Sequence, residues 1–293
     1  MEQMKMIDAH VHLWEEQNGI VNGKPVVGLG NGLADFGGEV RQMMPPYMTD
    51  NKNTIERLIA NMNYAGVGGC VVTQEVIDGN QDAYLISAKA KYPDRVRICS
   101  LYREGEGYLL QGADGVKVCA GRLMDRDLKK LLPLCRELEA AGKFLSIDLA
   151  DGDEQVEDME YLIAQCPDLK VAIGHFGMVT TPGWQRQIAL AKHKNVSVES
   201  GGLTWLFHKE FYPYPSAVDA ILEAAGICGM DKLMWGSDYP RTMTDITYSM
   251  AVRFLLETPK LTAEEKKAFL GGNAVRFYGF DRLPDLPPIG NML

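Results

Sequence analysis

The amino-acid sequence predicts an α/β protein built as a (β/α)8 TIM barrel, and two observations lead to this fold class. Short apolar runs recur along the chain of 293 residues, and segments with helical periodicity lie between most of them. This alternation is typical of βα units around a parallel sheet. The eight runs cover residues 6–11, 69–74, 96–101, 114–119, 144–149, 170–175, 195–200 and 233–238. Eight such units favour a closed barrel over an open doubly wound sheet, for which the GxGxxG signature after the first strand is lacking.

The segments between the runs carry helix signals at their ends. Gly142 and Gly226 each follow a stretch of helical periodicity and are expected to end their helices. Pro133 lies either in the first turn of its helix or at a kink. Thr262 and Glu265 form a capping-box pattern that predicts the start of one of the last helices.

Two stretches depart from this repeat. Residues 15–52 follow the first strand, are rich in Gly, Pro and Met, and are too long for an ordinary βα loop. We therefore expect this loop insertion to form a lid or a pocket wall. The Pro-rich residues 281–293 are expected to lie over the surface or in a contact between subunits. Because no repeat or clear linker is present, residues 1–293 are predicted to form a single domain.

The composition narrows the class of protein. The formal net charge is −9 and the isoelectric point is about 5.1, which argues against a nucleic-acid partner. The sequence shows no secretory signal and no apolar run long enough for a membrane span, so we expect a cytoplasmic protein without a membrane partner. Its widely spaced cysteines predict buried free thiols rather than disulfides or a zinc knuckle. They are Cys70, Cys99, Cys119, Cys135, Cys166 and Cys228.

Polar side chains recur at the ends of the predicted strands. In the first strand, Asp8, His10 and His12 alternate with apolar residues, so all three are expected to face the barrel interior and its rim. In such barrels the active site lies at the carboxyl ends of the strands. The other ionisable residues at or near strand ends are Arg103, Lys117, Asp148, His175, Glu199 and Asp238.

The two histidines one residue apart are the strongest functional signal. A single histidine at a strand end is more often a structural residue, but His10 and His12 project together from one strand. Two such imidazoles either share a metal ion or bind one anionic oxygen. Lys117 has a structural interpretation as well, since it can pair with Glu199 or Asp148.

Four motifs in a fixed order carry a resemblance to a known family. DAHVHLW (8–14), GHFG (174–177), WGSDYPR (235–241) and FLGGNAVRFYGF (269–280) together resemble the amidohydrolase superfamily. They are most similar to its amidohydrolase-related branch (amidohydrolase family 2), which includes sugar lactonases and 2-pyrone-4,6-dicarboxylate lactonase. The resemblance implies a barrel in which His10 and His12 are the first-strand pair. It also implies that His175 is the sixth-strand histidine and Asp238 the eighth-strand aspartate.

The resemblance leaves two possibilities for a cofactor. Metal-using relatives usually carry a histidine at the end of the fifth strand, where this sequence has Asp148. Several lactonases of the branch work without a required metal, which implies that no cofactor is strictly required here. The alternative is one divalent ion, zinc or manganese, held by His10, His12 and Asp238, with Asp148 or water completing the shell.

The predicted activity is hydrolysis of a lactone of a small carboxylated or sugar-derived compound. Asp238 is the candidate general base, because its carboxylate is ionised at neutral pH. His10, His12 and His175 are expected to polarise the lactone carbonyl. A metal-dependent decarboxylase or hydratase of the same superfamily remains an alternative, as does a barrel that only binds ligands.

Several residues are candidates to hold this small-molecule substrate. Arginine binds a carboxylate through two parallel hydrogen bonds, and arginines lie near several strand ends. The candidate substrate-binding residues are Arg241, Arg103, Arg122, Lys117, Tyr47 and Trp14, with Trp205 as a further wall of the pocket. Assembly into a homo-oligomer is possible.

Overall fold

The computed structural model describes residues 4–290, which form a parallel barrel with helices around it. The strands are β1 (Met6–Val11), β2 (Ile20–Val21), β3 (Lys24–Gly30), β4 (Leu33–Phe36), β5 (Val40–Gln42), β6 (Val67–Val72), β7 (Val96–Leu101), β8 (Gly115–Cys119), β9 (Phe144–Asp148), β10 (Lys170–Ile173), β11 (Val196–Glu199) and β12 (Leu233–Met234). The eight predicted runs correspond to β1 and β6–β12.

The barrel strands pair in chain order, from β1 through β6 to β12. The two ends of this sheet are joined by backbone hydrogen bonds between β1 and the residues that directly follow β12. The Ala9 amide donates to the Trp235 carbonyl (2.8 Å), and the Asp238 amide donates to the His10 carbonyl (2.9 Å). The structure therefore confirms the predicted (β/α)8 TIM barrel and excludes the open sheet.

The helices that surround the barrel confirm most of the predicted end signals. They are α1 (Ile55–Ala65), α2 (Asp82–Lys91), α3 (Leu132–Ala140), α4 (Val156–Gln165), α5 (Trp184–Ala189), α6 (Leu203–Leu206), α7 (Pro215–Cys228), α8 (Tyr248–Glu257), α9 (Ala263–Lys267) and α10 (Asn273–Tyr278). Pro133 lies in the first turn of α3, and Thr262 and Glu265 form the capping box of α9. The prediction for Gly226 is wrong, because α7 continues to Cys228.

The first strand departs from the predicted alternation. Asp8 pairs with Cys70 of β6, whereas Val11 pairs with Val72, so three steps along β1 match two steps along β6. One extra residue of this kind is a β-bulge, and it changes which side of the sheet the following side chains face.

Because of the bulge, Asp8 does not face the barrel interior. Its carboxylate accepts hydrogen bonds from the hydroxyls of Ser237 (2.5 Å) and of Tyr248 on α8 (2.8 Å), between the barrel wall and the helix layer. Burial raises the pKa of Asp8 to about 6. The prediction that Asp8 shares a face with His10 and His12 is therefore wrong, while the two histidines do turn to the interior.

The core has an outer and an inner layer. Outward side chains of the strands, such as Val116 and Ile147, pack against the helices. The inner layer fills the lower half of the barrel and includes Ile7, Ala9, Val71, Cys99, Phe144, Ala172 and Met234. Tyr278 and Phe280 close this layer from below, with the Tyr278 ring centroid 4.9 Å from that of Phe144. Water is thus excluded from the lower half of the barrel.

The insertion after β1 is a folded unit rather than a plain loop. Strands β2–β5 form an antiparallel sheet of four strands. Its inner side is held by a small apolar cluster that includes Val26, Ala34 and Ile77. The outer side is exposed at Val27 and Val40. The sheet is therefore attached to the barrel through one face only.

The remaining observations concern thiols and membrane spans. All six cysteines are free, and each except the half-buried Cys228 is buried, which confirms the prediction of buried free thiols. Across residues 4–290, no helix has both the length and the apolar character needed to cross a lipid bilayer.

Candidate active site

A cavity of about 710 Å³ lies at the carboxyl ends of the barrel strands. Asp148, His175 and Asp238 reach it from strands or strand ends that are separated in the sequence. Arg41, Gln42 and Met43 of the insertion form part of its wall. The position of the cavity agrees with the place of catalytic sites in such barrels.

The backbone turns sharply where the two end-of-strand residues enter the cavity. His175 and Asp238 have positive φ angles of 52° and 61°, a region that non-glycine residues rarely adopt. Residues held in such conformations are common at functional sites, where the surrounding structure fixes them. The turns leave both side chains at the cavity wall.

Asp238 is held by hydrogen bonds to both of its oxygens. His12 Nε2 lies 2.9 Å from Oδ1, and the indole Nε1 of Trp205 donates to Oδ2 at 2.6 Å. Burial by itself raises the pKa of Asp238, but the bond to His12 and the positive charge of His175 hold it well below its usual range. Asp238 is therefore ionised at neutral pH.

The two histidines of the first strand lie behind Asp238. His10 Nε2 is 3.1 Å from His12 Nε2, and both rings are buried, with exposures of 0% and 2%. Burial and the charge of Arg241 lower the pKa of His12, which keeps this imidazole neutral at neutral pH. Neither ring is part of the cavity wall formed by the described residues.

Glu199 completes this group, and sequence reasoning did not include it among the site residues. Its Oε1 lies 2.6 Å from His10 Nδ1, and its Oε2 accepts from the Gly201 amide at 2.6 Å. Burial raises the pKa of Glu199, but the hydrogen bond with His10 and the charge of His175 lower it below its usual value. The available signal was its inward position at the end of β11, which we interpreted only as a possible partner of Lys117.

A second charged group surrounds Asp148. Lys117 is fully buried, and its Nζ lies 2.5 Å from Asp148 Oδ1, one of the two carboxylates considered as its partner. Lys117 does not line the cavity, so its candidate role in substrate binding is corrected. His175 Nε2 is 3.5 Å from Asp148 Oδ2. Burial lowers the pKa of His175, but the charge of Asp148 outweighs burial and raises it to about 10. Two cations therefore flank this carboxylate, and of these only His175 is part of the cavity wall.

The donors His10, His12 and Asp238 fit a divalent metal ion. One nitrogen of each histidine and one carboxylate oxygen lie within 4.8 Å of one another. Zinc with ligands at about 2.0–2.2 Å accepts such a set of two imidazoles and a carboxylate. The predicted further ligand, Asp148, already has one of its oxygens on Lys117. The predicted three-residue ligand set is thus brought together.

Two of the three candidate arginines line the cavity. Arg241 Nη2 donates to both carboxylate oxygens of Asp78, at 2.8 and 3.0 Å, whereas its buried Nε and Nη1 have no partner within residues 4–290. Arg122 Nε lies 3.2 Å from Glu75 Oε1. Arg241 therefore lines the cavity and has two buried donors, Nε and Nη1, that are unpaired among the described residues.

The other candidates for substrate contact lie elsewhere. Arg103 pairs with Glu106 beside a smaller cavity of about 180 Å³ that adjoins the main one. Trp14 is fully buried, and Tyr47 is 67% exposed. Neither aromatic ring is among the described residues that line the main cavity, while Trp205 is. The expectation that Trp14 and Tyr47 wall the pocket is corrected accordingly.

Solved structures with the same fold include enzymes with different chemistry. A probable 2-pyrone-4,6-dicarboxylic acid hydrolase from Acinetobacter baumannii, with citric acid bound, is 20% identical (94% of this chain, 100% of that chain, TM-score 0.70). An amidohydrolase from Burkholderia multivorans with bound zinc is 17% identical (96% and 100%, TM-score 0.66). A 5-carboxyvanillate decarboxylase from Novosphingobium aromaticivorans, complexed with manganese, is 18% identical (76% and 79%, TM-score 0.53). At these identities the likeness shows the fold.

Sequence comparison gives the family. No curated protein sequence matches the chain. The model of the amidohydrolase family matches residues 7–280, which include all four motifs that carry the resemblance. By this match, and with a barrel whose strand ends bring His10, His12, His175 and Asp238 together, the chain belongs to the amidohydrolase family.

Proposed function

We propose that the protein hydrolyses a lactone of a small carboxylated or sugar-derived compound, and that this reaction does not strictly require a metal ion. The observation that carries the proposal is the ionised Asp238, which is held at the cavity wall by His12 and Trp205. A fixed carboxylate beside a cavity of this size is suited to take a proton from an attacking water.

Hydrolysis begins with attack of this water on the lactone carbonyl carbon. Asp238 takes the proton of the water, and the carbonyl oxygen becomes an oxyanion. The ring C–O bond then breaks, and the leaving oxygen takes up the proton from Asp238. The product is the open hydroxy acid. Each Asp238 oxygen keeps a free lone pair beside its bond to His12 or Trp205, so proton transfer does not disrupt the site.

His175 is the group that stabilises the oxyanion. Its pKa of about 10 makes it a cation at neutral pH, and it lines the cavity with Asp238. A preorganised charged donor in a water-poor site stabilises developing negative charge. We expected His10 and His12 to polarise the carbonyl as well. Both are buried behind the cavity wall, so the direct contact with the substrate is assigned to His175. Their proposed role is to orient Asp238 from behind.

A carboxylate on the substrate is bound by Arg241. Its charge attracts an anion at the cavity wall, and its Nε and Nη1 have no partner among the described residues, so Nη1 is free to donate to a substrate carboxylate. Asp78 fixes the orientation of the guanidinium through Nη2. Arg122 is the second candidate at the cavity wall.

The charges around Asp148 support activity without a metal. Lys117 and His175 already place two positive groups on this carboxylate, next to the donor set. These two groups supply positive charge beside the cavity without a metal ion, although His10, His12 and Asp238 fit one geometrically. When bound, such an ion supplies Lewis-acid polarisation and lowers the pKa of a coordinated water.

The proposal is tested with a panel of carboxylated and sugar lactones, using a pH indicator to follow acid release. We expect turnover of at least one lactone, unchanged in excess chelator, with elemental analysis of the same sample. A variant that keeps the fold but lacks the base, Asp238→Asn, is the matched control. One tightly held ion per chain with activity that follows it would contradict the metal-independent mechanism.

The donor set itself favours a second candidate, a metal-dependent decarboxylase or hydratase. The two Nε2 atoms and Asp238 Oδ1 converge as metal ligands do, and a decarboxylase with this fold holds manganese. Stoichiometric zinc or manganese, activity lost to chelator, and release of CO2 or uptake of water by a non-lactone substrate would establish it.

A further inference from the structure

Glu199 is buried and both of its carboxylate oxygens are hydrogen-bonded, which an ion pair with Lys117 would not require. The side chain is 1% exposed and lies at the end of β11, behind the cavity wall. Its Oε1 lies 2.6 Å from His10 Nδ1 and accepts from the His175 amide at 3.3 Å. Its Oε2 accepts from the Gly201 amide at 2.6 Å. Both oxygens are therefore fixed by donors.

Three glycines at neighbouring strand ends form the space that Glu199 and His10 occupy. A Cβ atom on Gly174, Gly201 or Gly236 would lie 2.9 Å from a Glu199 oxygen, a distance that real Cβ atoms essentially never show. At Gly201 it would also lie 2.8 Å from His10 Cγ, and at Gly236 it would lie 2.8 Å from His10 Cβ. The ends of β10, β11 and β12 thus all lack a side chain around one carboxylate–imidazole pair.

We infer that Glu199 is a positioning residue, which holds His10 in the Nδ1–H tautomer. A carboxylate at Nδ1 accepts the proton of that nitrogen and leaves Nε2 with a lone pair. This lone pair faces His12 Nε2, 3.1 Å away, and so accepts the His12 proton that is shared with Asp238. Glu199, His10, His12 and Asp238 form one ordered chain that fixes the orientation of the base.

The amide variant Glu199→Gln reverses this order. The Gly201 amide, at 2.6 Å, donates to Glu199 over a shorter distance than the His175 amide, at 3.3 Å, so the glutamine oxygen faces Gly201 and its NH2 group faces His10 Nδ1. An amide donor at Nδ1 requires an acceptor there, which moves the His10 proton to Nε2. The Nε2–H group then opposes the His12 proton, and the chain toward Asp238 is broken.

The tautomer is measured directly by ¹⁵N–¹H NMR of histidine side chains in labelled protein kept in excess chelator. The chain has five histidines, and His10→Asn identifies the signal of His10. We expect Nδ1–H in the wild type and Nε2–H in Glu199→Gln, with Ser197→Ala, an inward residue of the same strand, unchanged. Persistence of the His10 Nδ1–H signal in folded Glu199→Gln would overturn the inference.

The kinetic consequence rests on the proposed function and is measured on the same samples. We expect kcat to fall roughly 10- to 100-fold with little change in KM, an effect of the size seen when metal-ligating histidines lose their carboxylate partners. A changed tautomer with unchanged kcat would refute the role in catalysis. If the wild type turns over no lactone while the tautomer still changes, Glu199 does set the tautomer and the proposed function is the part that fails.

A second variant covers the case in which Glu199→Gln does not fold. Gly201→Ala keeps the carboxylate and adds one methyl group between Glu199 and the His10 ring. We expect a displaced His10 ring, a weaker Nδ1–H bond that exchanges faster with water, and a lower kcat. An unchanged His10 signal in this variant would contradict the role of the glycine-lined space.

Discussion

The inward-facing side chains of the barrel differ between its two halves. Those of the lower half are apolar, whereas those of the upper half, at the carboxyl ends of the strands, are mostly charged or polar. In the fifth barrel strand, Phe144 packs in the apolar lower layer, while Asp148 on the same face is ion-paired at the cavity. In the first strand, Ala9 belongs to the lower layer and His10 to the site. A few residues along one strand separate a dry core from a group of charges.

This difference shows how the fold accommodates many charged groups in one small site. The buried charged groups of the upper half all have partners, with Lys117 paired with Asp148 and the Glu199 carboxylate bonded to His10 Nδ1. Buried pairs of this kind contribute little net stability, because desolvation offsets their attraction. The apolar lower half and the outer core therefore supply the stability, and the upper half uses it to hold groups in place for chemistry.

The largest loss of stability is expected in the lower half. Phe144→Ala removes a buried ring that packs edge-to-face on Tyr278, and it should lower the free energy of unfolding by about 3–5 kcal/mol. The specific activity of the folded fraction should stay near that of the wild type. Urea unfolding and kinetics on the same sample measure both. A variant of normal stability with reduced kcat would reverse the assignment of the two halves.

A smaller effect, dependent on pH, is expected in the upper half. The folded protein raises the pKa of His175 from 6.5 to about 10, so this group stabilises the fold fully below pH 6.5. The contribution is lost as the pH rises toward 10. Urea unfolding at pH 6.5 and 9 should show a fall in stability that is reduced in His175→Gln. Equal falls in both proteins would show that His175 is not a cation in the folded protein at pH 6.5.

The smallest effect on stability is expected from the insertion. Replacing residues 20–45 by a short Gly-Ser link removes a sheet that is attached to the barrel through one face, so the barrel should remain folded. Turnover should fall, because Arg41 and its neighbours leave the cavity wall. Val27→Thr, on the exposed face of the same sheet, is the control. Unchanged kinetics in the folded deletion variant would show that the insertion does not contribute to the site.

Much of the upper half was predictable because it follows from strand periodicity. The inward positions of Lys117, Asp148 and Glu199 follow from alternation along regular strands, as does their meeting at one end of a parallel barrel. Asp8 was misplaced because a β-bulge depends on pairing with the neighbouring strand, which local sequence does not reveal.

The contacts between elements were less accessible from the sequence. Glu199 meets His10 across 189 positions of the chain, and only the closed barrel brings them together. Trp205 was expected as a wall of the pocket, but its bond to Asp238 depends on how the short helix α6 packs. Trp14 and Tyr47 were expected to wall the pocket, whereas tertiary packing buries Trp14 and leaves Tyr47 exposed.

Asp238→Asn tests the central claim most directly. Asparagine is nearly isosteric and can still accept from Trp205, so the variant should fold with a melting temperature close to that of the wild type. An amide does not take a proton from water at neutral pH. If Asp238 is the general base, kcat on the lactone identified in the panel should fall by roughly 10²- to 10⁴-fold, with a much smaller change in KM. A folded Asp238→Asn protein with near-normal kcat would contradict the mechanism.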